Sequence, residues 1–242
     1  MISFFRKIRQ KLLAENRVTR YLIYAIGEIA LVMVGILLAL QVNNWNEERK
    51  NNIKMAEYKK GLIEDYNRDI ARIDTILILF NQSEAQHRNF TERLSNPQAS
   101  FDTLVKITKY EFLGYFSNID AFNTATFQTL ISTGDISLFP KKIRRKLIEI
   151  NNQQQTVLLI TQENIQQYLN ALIQYKYLTN LPFSVINSGA LYEFSWAQAD
   201  KNELIKDFAT VTLRHNNINR ISKKSYQDLR KQLVEALDEL RE

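Results

Sequence analysis

The pattern of apolar and polar positions begins with one near-continuous apolar run, YLIYAIGEIALVMVGILLALQV over residues 21–42, and then changes to apolar residues recurring every three or four positions. A run of that length spans the roughly 30 Å of bilayer hydrocarbon at ~1.5 Å per helical residue, which predicts a transmembrane helix. Beyond it, Leu62, Tyr66, Ile70, Ile73, Leu77, Phe80, His87 and Leu94 keep helical steps with no proline between them. They predict one long helix from residue 47 to about residue 94, running on from the span as a stalk, with Gly61 its weakest point. Glu64, Arg68, Asp69, Arg72 and Asp74 fall on the other faces and read as a solvated surface.

Ser95-Asn96-Pro97 breaks that helix, and two short helices are expected around residues 101–115 and 121–132 before Gly134 stops the second. Pro140 takes a first-turn position in a second long helix reaching residue 178. Residues 179–199 read as the longest irregular segment, and Asp200-x-x-Glu203 caps a final helix to nearly residue 242, with a break expected near Asn216-Asn217. The fold class is therefore all-α: a segment 1–20, a transmembrane helix 21–42, and an antiparallel, four-helix-bundle-like domain over 43–242 in which three long helices pack with the short ones.

Charge changes the picture by giving this architecture a direction. The chain carries a formal +6, but Met1 to Arg20 holds six basic residues against Glu15, a net +5, so the remainder is close to neutral. The basic balance reports membrane topology, with the N-terminus cytoplasmic and residues 43–242 periplasmic; it does not point to nucleic acid. Ile2, Phe5, Ile8 and Leu12 share a helical face opposite Arg6, Lys7, Arg9 and Lys11, an amphipathic arrangement suited to the anionic cytosolic leaflet, and Trp45 sits where an interfacial aromatic is expected. A cleaved signal peptide fits poorly, because the basic region and the apolar run are both too long and Ala39-Leu40-Gln41 is a poor cleavage site. With no cysteine there is no disulfide and no thiolate chemistry.

The stretches FFRKIRQKLL (4–13), YLIYAIGE (21–28) and GILLALQVNNWNE (35–47), with TFQTLISTGDISLF (126–139) farther along, resemble an uncharacterised family of small membrane-anchored proteins of Bacteroidota. The resemblance implies an inner-membrane protein with an exported helical domain, and it carries no catalytic or ligand residues to transfer.

Candidate chemistry is sparse. Glu28 lies within the apolar run, where a carboxylate needs a partner, water or a proton. Gly35 and Ala39 share its stripe and form a small-xxx-small pair that lets another helix approach. Lys141, Lys142, Arg144, Arg145 and Lys146 make a basic cluster, read as phospholipid contact or as an ordinary solvated face; Asn151 to Gln155 make a polar seam, read as a ligand channel or, more simply, an exposed turn. The aromatics from Tyr110 to Phe127 are read as core filling rather than a pocket. Phe183, Tyr192, Phe194 and Trp196, in the irregular segment, form a candidate partner loop.

Glu84-x-x-His87 matches half of a di-iron motif, but His215, the other histidine, follows Thr212 by three, so no metal, cofactor or catalytic residue is assigned. The expected role is a membrane-anchored scaffold that assembles with copies of itself or another membrane protein, is bound to lipid, and is not an enzyme. The alternative is a periplasmic sensor whose bundle binds a ligand and signals through the membrane.

Overall fold

The computed structural model describes Lys7 and residues 18–114, 116–175 and 186–241. Every element among the described residues is helical: α1 (Val18–Leu94), α2 (Phe101–Lys106), a π-helical turn (Ile107–Glu111), α3 (Ala125–Thr133), a 3-10 turn (Asp135–Leu138), α4 (Lys141–Gln174), α5 (Gly189–Ala197) and α6 (Lys201–Arg241). The chain divides into two compact units, Met1–Glu57 and Tyr58–Glu242.

In the first unit α1 is one apolar helix whose side chains from Ile29 to Val42 are exposed on all faces. It is long and apolar enough to cross a membrane, with a mean hydropathy of 2.4 and none of its most apolar window buried.

In the second unit the inward stripe of α1 is Leu62, Tyr66, Asp69, Ile73, Ile76 and Phe80, steps of three and four. Asp69 is fully buried and Asp65 nearly so, which corrects the reading of Asp69 as solvated: its spacing from Tyr66 and Ile73 turns it inward whatever its polarity. Gly61 stays helical, and a Cβ there would lie 2.9 Å from the Thr126 Oγ1, so the missing side chain is what lets α3 approach α1.

On α4, Leu147, Ile150, Gln154, Val157, Thr161, Tyr168 and Leu172 are buried; on α6 the buried stripe runs unbroken from Leu204 to Leu240. The expected break at Asn216-Asn217 is absent, because His215, Ile218 and Asn219 keep the stripe continuous there and no proline or glycine interrupts the backbone. The α6 N-terminus is capped as the sequence suggests, the Glu203 N–H donating to the Asp200 carboxylate at 2.9 Å.

Pairs between helices give their directions. Lys142 meets Glu239 and Lys146 meets Glu235, so α4 and α6 run antiparallel. Arg230 meets Asp74 and Lys223 meets Glu84, so α1 and α6 do too. Two of the five clustered basic residues at the start of α4 are therefore in ion pairs with α6.

The descent from α2 to α3 differs most from expectation. Residues 112–114 and 116–124 are not helical, so their backbone groups have no ladder of their own. Side chains of the long helices supply partners instead. The Asp69 carboxylate accepts from the Asn123 N–H (2.9 Å), the Asn123 Nδ2 (2.6 Å) and the Gln154 Nε2 (2.8 Å). The Arg72 guanidinium donates to the Ala121 carbonyl, and the Tyr168 hydroxyl to the Gly114 carbonyl. The Tyr226 hydroxyl accepts from the Ile119 N–H. Gly114 turns the segment at φ +65°, a conformation that favours glycine.

Burial pushes the Asp69 carboxyl up, and its donors from Asn123 and Gln154, with the Arg72 charge, pull it back. Gln154 also corrects the polar seam, which is an exposed turn only in part. Asn152 and Gln155 face out, while Gln154 is buried against Asp69.

Removing the acceptor leaves three donors facing an apolar interior. Asp69→Ala is expected to cost about 3 kcal/mol, read as a lowered urea midpoint with an unchanged slope, and Glu64→Ala on the exposed face of the same helix less than about 0.5 kcal/mol. Equal effects at the two positions would show that the Asp69 contacts do not organise the descent.

Candidate functional site

The sequence-predicted positions fall into two groups that the two units hold separately. In the first unit Glu28 is half-buried, while Gly35 and Ala39 are exposed, and a Cβ at Gly35 would meet nothing within 4 Å. Trp45 and Lys7 are exposed; Arg6, Arg9 and Lys11 lie outside the described residues.

In the second unit the candidate partner loop resolves differently from the expectation. Phe183 lies outside the described residues, and the part that follows contains a helix, α5. Tyr192 and Trp196 point inward from α5 into a cluster with Ile107, Phe112, Leu204 and Phe208, whereas Phe194 and Leu191 on its other side are exposed. A helical period explains the split: positions four apart share a face, and position 194 falls between them on the opposite one. Tyr192 and Trp196 are thus core residues and offer no partner surface.

α5 also closes over the π-helical turn. Lys109 is buried, with its ammonium 2.6 Å from the Glu193 carboxylate and 5.0 Å from the centre of the Tyr192 ring. The Tyr192 hydroxyl donates to the Lys109 carbonyl at 3.0 Å. A buried cation is tolerated where a carboxylate and an aromatic face replace its water.

A cleft of about 390 Å³ lies between α1, the descending segment and α6. The two histidines of the sequence meet at its wall. His87 Nε2 and His215 Nδ1 are 2.9 Å apart, with ring planes within 25° and ring centres 5.1 Å apart. Centres that far apart with facing nitrogens so close place the rings edge to edge, in a hydrogen bond, and not face over face.

Asn219 Nδ2 stands 3.4 Å from the same His215 nitrogen and donates to the Ser83 hydroxyl at 2.6 Å. Phe112 meets the His215 ring edge-on, and the Tyr168 ring centre lies 5.0 Å from it. Burial first, and then the neighbouring His215, push the His87 imidazole down from its ordinary 6.5 to about 4, so at neutral pH its ring is uncharged. The remaining lining is mixed, with Gln82, Gln86 and Ser117 beside Leu79, Phe90 and Leu113.

His87 is read correctly in the sequence as a polar residue in the apolar seam, but its meeting with His215 is not. A usable signal existed: His215 lies four after Val211 and three before Ile218, on the inward face of α6. Glu84, the other half of the di-iron motif, is engaged by Lys223 at 2.6 Å. Among the described residues no group of three or more His, Cys, Asp or Glu is placed to hold a metal.

Residues 28–195 match the family of unknown function DUF6090, and with more than half of its length matched the chain belongs to that family. No curated protein and no solved structure matches the chain.

The two faces of α5 make opposite predictions. Trp196→Ala is expected to cost about 3 kcal/mol of stability, and Phe194→Ala less than about 0.5 kcal/mol, in paired urea titrations. With Trp45→Phe removing the other tryptophan, the emission of Trp196 is expected to be blue-shifted and shielded from iodide. Red-shifted, readily quenched emission would place this residue at the surface and return it to the partner face.

Proposed function

We propose that this DUF6090 chain is a single-pass membrane-anchored interaction protein: residues 1–20 cytosolic, residues 21–42 in the inner membrane, and a four-helix-bundle-like domain exported to the periplasm, where it scaffolds a complex. The observation that carries the reading is the apolar stretch of α1, exposed on every face from Ile29 to Val42 in a single helix that continues without interruption to Leu94. A core helix of a soluble protein would be covered, and in water so much bare apolar surface demands a lipid or protein environment. The net +5 of Met1 to Arg20 supports the N-in direction.

Assembly runs through the stripe of Glu28, Gly35 and Ala39, where the small residues let a second helix approach closely and the carboxyl gives it a hydrogen-bonding partner within the bilayer. The partner is a second copy of the chain or another membrane protein, and lipid contacts come from Arg6, Lys7, Arg9, Lys11 and Trp45. On α5, exposed Leu191 and Phe194 add an apolar contact on the exported side. The chain acts by binding, without a reaction or nucleic acid of its own. The second reading, a periplasmic sensor, is favoured by one feature, the histidine-walled cleft between α1 and α6.

The test is the native mass of the gently extracted full-length protein and the identity of co-purifying subunits. The parent is expected to be an oligomer or to carry another membrane protein, with Gly35→Leu and Glu28→Leu each shifting the mass toward the monomer by at least tenfold in association constant, about 1.4 kcal/mol. A parent that is monomeric and alone, or an assembly indifferent to both substitutions, overturns assembly through this helix.

A further inference from the structure

From Leu147 to its end at Gln174, α4 carries only two charged residues, Glu149 and Glu163, against eleven asparagines and glutamines. Its inward stripe, with Leu147, Ile150, Val157 and Leu172, is buried in the second unit. On the opposite face a line of exposed positions runs from Ile148 to Ile173 in alternating steps of four and three. Ile148, Leu159, Leu169 and Ile173 on that line leave 43%, 58%, 44% and 82% of their surface uncovered. Between them stand Asn152, Gln155, Gln162 and Gln166, so no charge falls on the line. The outward face of α6 is built differently, with Lys206, Arg220, Lys224, Lys231 and Asp238 exposed along it.

We propose that this face of α4 is a seam on which two copies of the chain pair, parallel and in register. The inference deepens the assembly reading by committing the partner to a second copy. Its parallel direction rests on the single-pass anchoring reading, since two copies held in one membrane are related by an axis along the membrane normal.

The chemistry of the line selects that occupant. Alternating steps of four and three keep one helix against another over several turns, so the contact runs the full length of about 38 Å. Parallel pairing sets each side chain beside its own copy. A lysine or a glutamate on the line would face a like charge, and the line has neither. An amide both donates and accepts, so Gln155 and Gln162 are each able to hydrogen-bond to themselves across the axis. A partner of unlike sequence would place no such ban on charge. At the edge of the seam Glu149, which Arg145 of its own helix approaches at 3.6 Å, comes opposite Arg144 of the other copy, a pair of opposite charges.

A strip about 38 Å long and about 10 Å wide covers on the order of 400 Å² on each copy, about half of what a stable complex in free solution uses. The seam therefore joins copies that a common membrane already concentrates, and not copies diffusing freely.

The experiment uses the full-length protein in bilayer vesicles, with single cysteines placed in a chain that has none of its own. Under mild oxidation Leu159→Cys and Ile173→Cys are each expected to form disulfide-linked dimers, whereas Leu213→Cys on α6, 60% exposed beside 58% for Leu159, stays unlinked. Adding Leu159→Glu to Ile173→Cys sets a carboxylate against its own copy and is expected to cut the linking rate about tenfold, while Leu159→Gln keeps it. Linking at Ile173→Cys that ignores Leu159→Glu, or that is no faster than at Leu213→Cys, overturns the seam. So does a dimer joining Ile148→Cys to Ile173→Cys in a mixture of the two variants, because only antiparallel copies bring those positions together.

Co-flotation with the vesicles tests the anchoring reading by itself, so a chain that inserts but does not link overturns the seam alone. Conversely, linking that Leu159→Glu abolishes, in a chain whose native mass ignores Gly35→Leu, supports the seam and removes only the transmembrane face.

Discussion

The second unit depends on one constraint: a stretch of chain without a hydrogen-bonding ladder must cross between long helices, and every buried backbone group in it still needs a partner. Gly114, Ile119 and Asn123 meet that constraint through Tyr168, Tyr226 and Asp69, which come from three different helices. Asp69 is the centre, because it takes two donors from Asn123 and one from Gln154, and so ties α1 and α4 to the descent at one carboxylate. Its burial would be costly without those donors, and the crossing segment would be unsatisfied without it. The apolar stripes of α1, α4 and α6 provide the bulk of the stability, but they do not specify which non-helical path lies among them.

The long helices were legible because their signal is redundant. Leu62, Tyr66, Ile73 and Phe80, or Leu147, Ile150 and Val157, repeat the same step often enough that single exceptions do not matter. The exceptions are where the reading failed. Asp69 and Gln154 occupy inward positions of their stripes, yet polarity argued for the surface, and only a partner distant in sequence could have decided between the two. The residue pairs that settle them, Asp69 with Asn123 and His87 with His215, have no local signature. Within the loop assigned to residues 179–199 the reading failed over Gly189–Ala197 for a different reason: Pro182, Gly189 and the density of aromatics suggested irregularity, whereas Tyr192 and Trp196 four apart are the inward face of a short helix.

The functional picture divides in the same way as the chain. In the first unit the legible quantity is apolar length, which is enough to argue for an anchor. In the second unit chemistry is concentrated where tertiary packing creates it: a buried Lys109 closed over by α5, and two hydrogen-bonded imidazoles on the wall of an open cleft. Membership of DUF6090 ties these features to a family without a stated activity, so their meaning rests on the physical behaviour of the groups themselves.

The Tyr226 contact has a consequence for how the molecule comes into being. Asp69 is 54 residues from Asn123, but Tyr226 is 107 residues beyond Ile119, in the C-terminal half of the last helix. A ribosome delivers α1 and the crossing segment long before it delivers Tyr226, so the crossing segment emerges with half of its partners not yet made. Contacts that close so large a loop form late, and until they do an unpaired, partly apolar strand is open to wrong pairing. The second unit is therefore completed only when α6 is in place, and loss of the C-terminal half of that helix would strand a segment synthesised a hundred residues earlier.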